Sequence, residues 1–233
     1  MSASQFLKDR TFPDPRTAVD GLVAIGGDLR PDRLLQAYRQ GIFPWFNPGD
    51  PVLWWSPDPR GVLLPEEVHL SRSLRRHFRR NPDLAFRFDT AFDAVVAACA
   101  APRADAQGTW ITPEMQRAYA RLHVLGHAHS IEVWQAEALV GGLYGVALGG
   151  VFFGESMFSR IPNGSKFALV MLARQLSAWG FVLIDTQFLT AHLASMGARE
   201  LSRTFFLDLL TAALQLPGRS GAWQMEIEGQ DVF

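Results

Sequence analysis

Three polar side chains border two strongly apolar, strand-like segments of this 233-residue chain. Glu155 directly follows residues 151–154, Asp185 directly follows residues 181–184, and Gln187 comes two positions later. Ligands bind beyond the carboxyl ends of strands in open α/β sheets, so we expect both acids to reach one site. A carboxylate beside an amide can orient and polarise that amide, or accept a proton from an amine. A helix cap and a solvated loop fit the same residues, so the pattern alone leaves a structural role open.

The segment 69–80 is a second candidate site because it carries five arginines and no acidic residue. Drawn as a helix, it places the arginines within an arc of roughly 140° and its apolar residues on the opposite side. Like charges at helical spacing repel one another, and a phosphate backbone would relieve that repulsion by counterion release. The alternative is a solvated face whose acidic partners come from elsewhere in the fold. The five arginines are Arg72, Arg75, Arg76, Arg79 and Arg80.

Other residue types that often do chemistry are better explained as structure. His127 and His129 have no cysteine or carboxylate at a metal-ligand spacing, which favours a structural pair. Residues 163–166 read Asn-Gly-Ser-Lys and could open an anion-binding helix, but the upstream glycine of a phosphate-binding loop is missing. Cys99, the single cysteine, lies in an alanine-rich segment that is typical of an inert core residue. We therefore predict no metal and no cofactor.

Composition limits the class of protein. The 22 basic and 23 acidic residues give a net charge of −1, so any nucleic-acid binding must come from a local patch. A hydrophobic fraction of 48% predicts a packed globular chain, and one cysteine excludes an internal disulfide. The longest uncharged stretch, 138–154, contains six glycines and fits two buried strands better than a membrane span. We expect a cytoplasmic protein with no membrane contact.

Periodicity and chain breakers predict the elements that must position these residues. Residues 1–60 are rich in Pro, Gly and Trp, and we predict that they form a small N-terminal α/β domain. Residues 61–233 are predicted to form one larger mixed α/β domain. The segment after Pro217 predicts no element. The predicted helices are 31–39, 69–80, 91–101, 113–125, 165–179, 189–196 and 204–214. The predicted strands are 61–64, 84–88, 130–134, two within 138–153, and 181–184.

Eight motifs, in order along the chain, resemble those of the leucyl/phenylalanyl-tRNA–protein transferase family. Together they cover roughly residues 12 to 206. Departures from the family pattern are small: threonine at 186 stands where cysteine is more usual, and glycine at 164 where alanine is. The motifs are GGDL (26–29), GIFPWF (41–46), WWSPDPR (54–60), TWIT (109–112), GHAHSIEVW (126–134), GGLYGV (141–146), GESMFS (154–159) and LIDTQ (183–187).

The resemblance implies an α/β (α+β) fold with a small N-terminal domain and a larger N-acetyltransferase-like (GNAT-like) domain. It implies a monomeric enzyme of the bacterial cytosol that acts in the N-end rule pathway. Such an enzyme takes leucine or phenylalanine, and less well methionine, from Leu-tRNA, Phe-tRNA or Met-tRNA. It places that residue on the α-amine of a protein beginning with arginine or lysine, which marks the protein for degradation. The donor ester is already activated, so no ATP, metal or acyl-enzyme is required.

The resemblance also implies roles for individual residues. Asp185 would orient and polarise Gln187, whose carbonyl oxygen would meet the attacking amine. Glu155 would supply the negative charge that suits an acceptor with N-terminal arginine or lysine. Trp45 and Trp110 would stack on the terminal adenosine of the tRNA. The aminoacyl side chain would enter an apolar pocket of Leu143, Phe152, Leu169, Leu176 and Ile184, and the acceptor stem would contact Arg72, Arg76, Arg79 and Arg80.

Two other classes compete with this reading. An acyl-CoA-dependent acetyltransferase would need a pyrophosphate loop before its helix, and residues 160–164 read Arg-Ile-Pro-Asn-Gly instead. A non-catalytic module that binds tRNA or protein N-termini would explain the arginines. It would not explain a carboxylate and an amide together at the end of a strand.

Overall fold

The computed structural model describes residues 11–102, 109–225 and 229–233, which form a mixed α/β fold with two sheets. The strands are β1 (Leu22–Ile25), β2 (Phe43–Pro44), β3 (Leu53–Trp55), β4 (Arg60–Leu63), β5 (Leu84–Phe88), β6 (Ala128–Gln135), β7 (Ala138–Leu148), β8 (Val151–Ser159), β9 (Leu183–Gln187) and β10 (Arg199–Leu201). The helices are α1 (Pro31–Arg39), α2 (Arg72–Arg79), α3 (Phe92–Ala100), α4 (Pro113–Val124), α5 (Gly164–Ala178), α6 (Ala191–Ala194), α7 (Arg203–Ala213) and α8 (Gly229–Val232).

The small sheet is antiparallel and has the strand order β1-β3-β2. Trp54 is fully buried there, and its indole Nε1 donates a 2.8 Å hydrogen bond to the Gly26 carbonyl. Helix α1 begins with Pro31, whose missing N–H costs nothing in a first turn. The buried Trp54 side chain thus stabilises this segment, in which the prolines cannot donate the backbone hydrogen bonds of a regular sheet.

The large sheet has seven strands in the order β10-β4-β9-β8-β7-β6-β5. Every neighbouring pair is antiparallel except β8 and β9, which are parallel. Helix α5 connects these two strands, as a parallel connection requires. The only parallel pair of the described sheets therefore lies at the centre, and it consists of the two strands that carry Glu155 and Asp185.

Helices cover both faces of the large sheet. Helix α5 packs on β6, β7 and β8 from one side, while α3 and α4 pack from the other. Because both faces are covered, β7 is buried at every position after its first residue. The described residues contain no helix with the length and apolar character needed to cross a bilayer.

Most predicted elements agree with the structure to within a few residues. Thr112 caps α4 as predicted, accepting a 3.2 Å hydrogen bond from the Met115 amide. The basic helix is shorter than predicted because Ser71 caps it by accepting from the Leu74 amide. The expectation that Glu155 and Asp185 follow the ends of their strands was wrong. Both lie inside strands, since polar residues continue β8 and β9 beyond their apolar halves.

The segment after Pro217, which the sequence left without a prediction, supplies part of the core. Trp223 is almost completely buried, and its ring stacks on His129 with centroids 3.8 Å apart. The Trp223 amide donates to Asp89 Oδ2, and His129 Nδ1 lies 2.8 Å from the same oxygen. His129 is thus a buried structural residue, in agreement with the structural interpretation.

Candidate functional site

Strands β8 and β9 run side by side and then separate at the centre of the large sheet. Their parallel pairing ends at Phe153 and Asp185, although both strands continue beyond this pair. A bulge follows immediately in each strand, with Glu155 as the extra residue opposite β7 and Thr186 as the extra residue opposite β4. Bulges bend a strand and redirect its side chains, so the two together open the sheet at this point.

A cavity of about 500 Å³ lies at this opening, between the sheet, α5 and α6. Leu143, Phe152, Leu169 and Ile184, four of the five residues predicted for an apolar pocket, line it. Leu176 does not, because it lies seven residues beyond Leu169 on α5, about 10 Å further along the axis. It is fully buried in the core instead.

A smaller cavity of about 230 Å³ adjoins the first and has aromatic walls. Trp45 and Trp110, the two predicted stacking residues, both line it, and Trp110 also lines the larger cavity. Trp45 is 45% exposed, and its ring lies 5.7 Å from that of Phe188. Glu155 and Gln187 line both cavities and therefore lie at their junction.

The Asp185 carboxylate is held by a buried arginine that the sequence analysis missed. Arg60 Nε donates to Asp185 Oδ1 at 2.8 Å and Arg60 Nη2 donates to Oδ2 at 2.6 Å. The two side chains are 1% and 0% exposed. Such a two-point arginine–carboxylate contact fixes both the position and the plane of the carboxylate.

Gln187 contacts Asp185 through different atoms from those expected. Its backbone N–H donates to Asp185 Oδ1 at 3.0 Å, and its amide Nε2 donates to the Asp185 backbone carbonyl at 3.3 Å. The Asp185 carboxylate therefore contacts the backbone of Gln187 and not its side-chain amide. Gln187 has a φ of 59°, a conformation that side chains rarely adopt without support. With Nε2 engaged, the carbonyl oxygen Oε1 is the atom left to accept a hydrogen bond from a ligand.

Two tyrosine hydroxyls hold Glu155 at the junction of the cavities. Tyr38 of α1 donates to Oε1 at 2.6 Å, and Tyr119 of α4 donates to Oε2 at 2.5 Å. Burial raises the pKa of Glu155 to about 7, against the lowering effect of these hydrogen bonds and with a smaller rise from the charge of Asp185. Burial and the Glu155 charge also raise the pKa of both tyrosines, which keeps them as hydrogen-bond donors.

The raised pKa of Glu155 predicts how stability depends on pH. Between about pH 4.5 and pH 7 the native state retains a proton that the unfolded state has lost, so the free energy of unfolding falls as pH rises. We expect Glu155→Gln to remove this pH dependence, so that its free energy of unfolding gains about 1–2 kcal/mol relative to wild type over that range. This gain is smaller than the free energy that corresponds to the full pKa shift, because the Glu155 side chain is partly exposed to water.

Urea unfolding of both proteins at about pH 5 and about pH 7.5 measures this difference. If the free energies of unfolding of Glu155→Gln and wild type differ by the same amount at both pH values, the pKa of Glu155 is not raised. Tyr119→Phe serves as the comparison, because it removes a hydrogen bond that lowers the pKa of Glu155 and should extend the fall in the free energy of unfolding to higher pH.

The basic face of α2 is fully formed. Four of the five arginines lie on α2 and Arg80 follows as its C-terminal cap; all five are exposed, and no ion pair within the described ranges involves any of them. Leu74 is buried on the opposite face, and Phe78 packs against Phe86 and Phe233. The acidic partners that the solvated-face alternative requires are therefore not found among the described residues.

The basic helix lies near the N-terminal end of α5, which borders the larger cavity. His77 Nδ1 of α2 lies 2.7 Å from Nδ2 of Asn163, the residue that precedes α5. Ser165, in the first turn of α5, lines the cavity. A polyanion along α2 would thus run beside the helix that forms one wall of the cavity.

No group of three or more potential metal ligands occurs among the residues that the structure describes. His127, the other member of the histidine pair, is half-buried, and burial together with the charge of Arg39 lowers its pKa. Cys99 is buried in α3. None of these residues lines either cavity.

Sequence reasoning missed three residues that hold the site together: Arg60, Tyr38 and Tyr119. Arg60 pairs with a residue 125 positions away, and Tyr38 reaches Glu155 across 117 positions. One signal was available for Arg60, because an arginine at the start of an apolar strand needs a buried partner. Nothing local marks the tyrosines, since aromatic residues in amphipathic helices usually belong to the core.

Comparison with known proteins gives consistent results. The family model described as "Leucyl/phenylalanyl-tRNA protein transferase" matches residues 62–211, and the model of that family's N-terminal domain matches residues 27–58. A protein named leucyl/phenylalanyl-tRNA–protein transferase from Chromohalobacter salexigens is 61% identical over 204 residues, 88% of this chain and 79% of that protein. The protein of the same name from Nitrosomonas europaea is 56% identical over 221 residues, 94% of this chain and 93% of its own length.

The solved structure of L-PGS from Bacillus licheniformis aligns with a TM-score of 0.39 at 12% identity, over 74% of this chain and 57% of that one. The family models and the relatives above agree with one another along nearly the whole chain. The chain therefore belongs to the leucyl/phenylalanyl-tRNA–protein transferase family and is a transferase.

Proposed function

We propose that this chain transfers leucine or phenylalanine, and less well methionine, from aminoacyl-tRNA to the α-amine of proteins that begin with arginine or lysine. The new peptide bond would create an N-terminal degradation signal. The observation that supports this most directly is the placement of Glu155 and Gln187 together at the junction of an apolar cavity and an aromatic one. An amine, an apolar aminoacyl group and an adenosine would meet at this junction.

The reaction needs positioning and proton management more than chemical activation. The amine nitrogen attacks the ester carbonyl carbon, a C–N bond forms, the C–O bond to the ribose breaks, and the amine loses a proton as the ribose hydroxyl gains one. Holding the two reactants in line supplies a large share of the rate enhancement. Gln187 Oε1 accepts a hydrogen bond from the amine and directs its lone pair toward the ester.

Glu155 suits the acceptor because it is the negative group at the junction. Above about pH 7 the carboxylate form prevails, and it attracts the cationic side chain of an N-terminal arginine or lysine. The hydroxyls of Tyr38 and Tyr119 hold the carboxylate in one orientation. An acceptor with N-terminal alanine has no side-chain charge to offer and should react poorly.

The donor would occupy the remaining surfaces. The apolar cavity accepts the leucine or phenylalanine side chain, and such a pocket grades substrates by size without separating similar ones sharply. Trp45 and Trp110 would stack on the terminal adenine. Arg72, Arg76, Arg79 and Arg80 would contact acceptor-stem phosphates, which carry no sequence information, so the amino acid would dominate donor selection.

The architecture proposed with this function has a small domain of residues 1–60 and an N-acetyltransferase-like domain of residues 61–233. The separation of the parallel strands β8 and β9 at the centre of the large sheet supports the second assignment. We propose that the enzyme acts as a cytoplasmic monomer without ATP, metal or other cofactor.

Transfer of labelled leucine from leucyl-tRNA tests the proposal. We expect acid-stable label on a protein with N-terminal arginine and little on the same protein with N-terminal alanine, with no ATP present. Binding of tRNA without transfer would favour the non-catalytic module instead. Transfer of an acetyl group from acetyl-CoA, with none from leucyl-tRNA, would favour an acetyltransferase.

The size of the apolar cavity should set the preference between donors. Phe152 is fully buried and lines the cavity, so Phe152→Leu enlarges it. We expect the ratio of kcat/KM for phenylalanyl-tRNA over leucyl-tRNA to rise roughly tenfold. Leu176→Val is the matched control, because it trims the core beside the cavity without touching its lining, and it should leave the ratio unchanged. Equal losses on both donors in Phe152→Leu would argue against a pocket role.

A further inference from the structure

Arg60 is linked to Gln187 through one carboxylate oxygen. Asp185 Oδ1 accepts hydrogen bonds from Arg60 Nε at 2.8 Å and from the Gln187 backbone N–H at 3.0 Å. Oδ2 accepts from Arg60 Nη2 at 2.6 Å. The carboxylate thus already accepts three hydrogen bonds from the protein, and each constrains the others. Rotation of the Asp185 carboxylate away from Arg60 would also break its hydrogen bond with the Gln187 backbone N–H.

The guanidinium of Arg60 is itself held by aromatic rings from two other elements. Its Cζ lies 5.0 Å from the ring centre of Phe43 in β2 and 4.5 Å from that of Phe206 in α7. A guanidinium over aromatic faces in a dry environment is attracted to them. Arg60 therefore has little freedom to leave the carboxylate, and a lysine could not reproduce its flat two-point contact.

The conformation of Gln187 needs the support that this chain of contacts gives. Its positive φ places it where non-glycine residues are rare, and it directly follows the bulged Thr186. The backbone hydrogen bond to Asp185 Oδ1 holds this conformation. In the same conformation the side-chain amide donates to the Asp185 carbonyl, which directs Oε1 away from that bond.

We propose that Arg60 is a positioning residue for aminoacyl transfer, which acts by holding the Asp185 carboxylate against the backbone N–H of Gln187. This inference rests on the proposed function, since Gln187 is the residue whose placement it controls. Asp185 then serves to fix the backbone of Gln187, with its oxygens occupied by donors, and the proton lost by the amine goes to another acceptor.

Arg60→Lys tests this in the full chain. We expect kcat for leucyl transfer to fall at least tenfold, with KM for the acceptor and Kd for leucyl-tRNA each within about threefold, because binding surfaces are kept while the amide moves. We also expect the Gln187 backbone amide to exchange with deuterium at least tenfold faster, because its acceptor oxygen is no longer fixed.

Arg203→Lys is the matched control. Arg203 is also buried and donates to the carbonyls of Ser56 and Ala18, whereas the side-chain partners of Asp185 in the described structure are Arg60 and Gln187. We expect it to lower the thermal unfolding temperature as Arg60→Lys does, while kcat and Gln187 exchange stay within twofold of wild type. A kcat of Arg60→Lys within twofold of wild type, or an equal loss of kcat in Arg203→Lys, would overturn the proposal.

A second variant keeps the test informative if Arg60→Lys folds poorly. Arg60→Met with Asp185→Leu replaces the buried ion pair by apolar groups, an exchange that folds often tolerate. We expect this double variant to unfold cooperatively near the wild-type temperature and still to lose at least tenfold in kcat. Wild-type turnover in the double variant would show that the ion pair is purely structural.

Failure of this inference is distinguishable from failure of the proposed function. If wild-type protein transfers leucine and Arg60→Lys transfers it equally well, only the inference fails. If wild-type protein transfers nothing, the proposed function fails. In that case Gln187 amide exchange in Arg60→Lys still decides whether Arg60 holds this backbone position.

Discussion

Replacing Gln187 with asparagine is expected to lower kcat for leucyl transfer by roughly 100-fold and to leave the Kd for leucyl-tRNA within about threefold. Asparagine keeps the amide but withdraws it by one methylene, so Oε1 no longer reaches the amine. It also tolerates a positive φ better than most residues, which keeps the backbone at 187 close to its native conformation. The loss should therefore come from the misplaced oxygen and not from unfolding.

Single-turnover transfer from labelled leucyl-tRNA, with tRNA binding measured in parallel, separates the two effects. Asp185→Ala should also slow transfer, because it frees the backbone of Gln187, but it leaves Arg60 buried without a carboxylate partner and should lower the unfolding temperature as well. Val182→Ala is the neighbouring control, since Val182 is exposed just before β9, lines neither cavity and takes no part in either hydrogen bond of Gln187. If Gln187→Asn weakens tRNA binding as strongly as it slows transfer, Gln187 belongs to the donor site and has no role in the chemical step.

Reversing two charges on the basic helix is expected to have the second-largest effect. Arg76→Glu with Arg79→Glu should weaken leucyl-tRNA binding at least tenfold near 0.1 M salt and reduce the magnitude of the salt slope by about 2. Both arginines are exposed and have no ion-pair partner among the described residues, so the substitution breaks no internal contact. Turnover at saturating tRNA should change little, because α2 does not line either cavity.

The matched control places the same charge change on another helix. Arg117→Glu with Arg121→Glu reverses two exposed arginines on α4 and gives the same net charge. We expect its salt slope to stay near the wild-type value. Equal weakening by both double variants would indicate attraction by overall charge, and an unchanged slope in the α2 variant would return that helix to an ordinary solvated face.

Local pattern was sufficient to predict most helices and strands and the polar residues around Asp185. Periodicity placed β5 and α1 at their observed bounds, and the spacing of Asp185 and Gln187 identified one side of the site. What could not be predicted depends on long-range pairing. The bulge at Glu155 is defined only relative to β7, and Leu176 could be excluded from the cavity only once the direction of α5 was known.

The contact between Asp185 and Gln187 shows the same limit at atomic scale. A spacing of two residues suggested side chains on one face, as in a regular strand. The bulge at Thr186 breaks that regularity, so the carboxylate meets a backbone N–H. Arg60, which fixes the carboxylate, is 125 positions from Asp185 in the sequence. The two residues meet only because β4 pairs with β9 in the folded sheet.

The paired bulges at Glu155 and Thr186 imply that stability and activity oppose each other at the centre of this sheet. Each bulge leaves one residue without its regular ladder partner, and the separated strands forgo the hydrogen bonds of continued parallel pairing. A one-residue deletion that restored regular pairing would favour a closed, more thermostable sheet and fill the opening between β8 and β9. Selection for thermal stability alone would therefore tend to close the cavity, which opposes the function proposed for it.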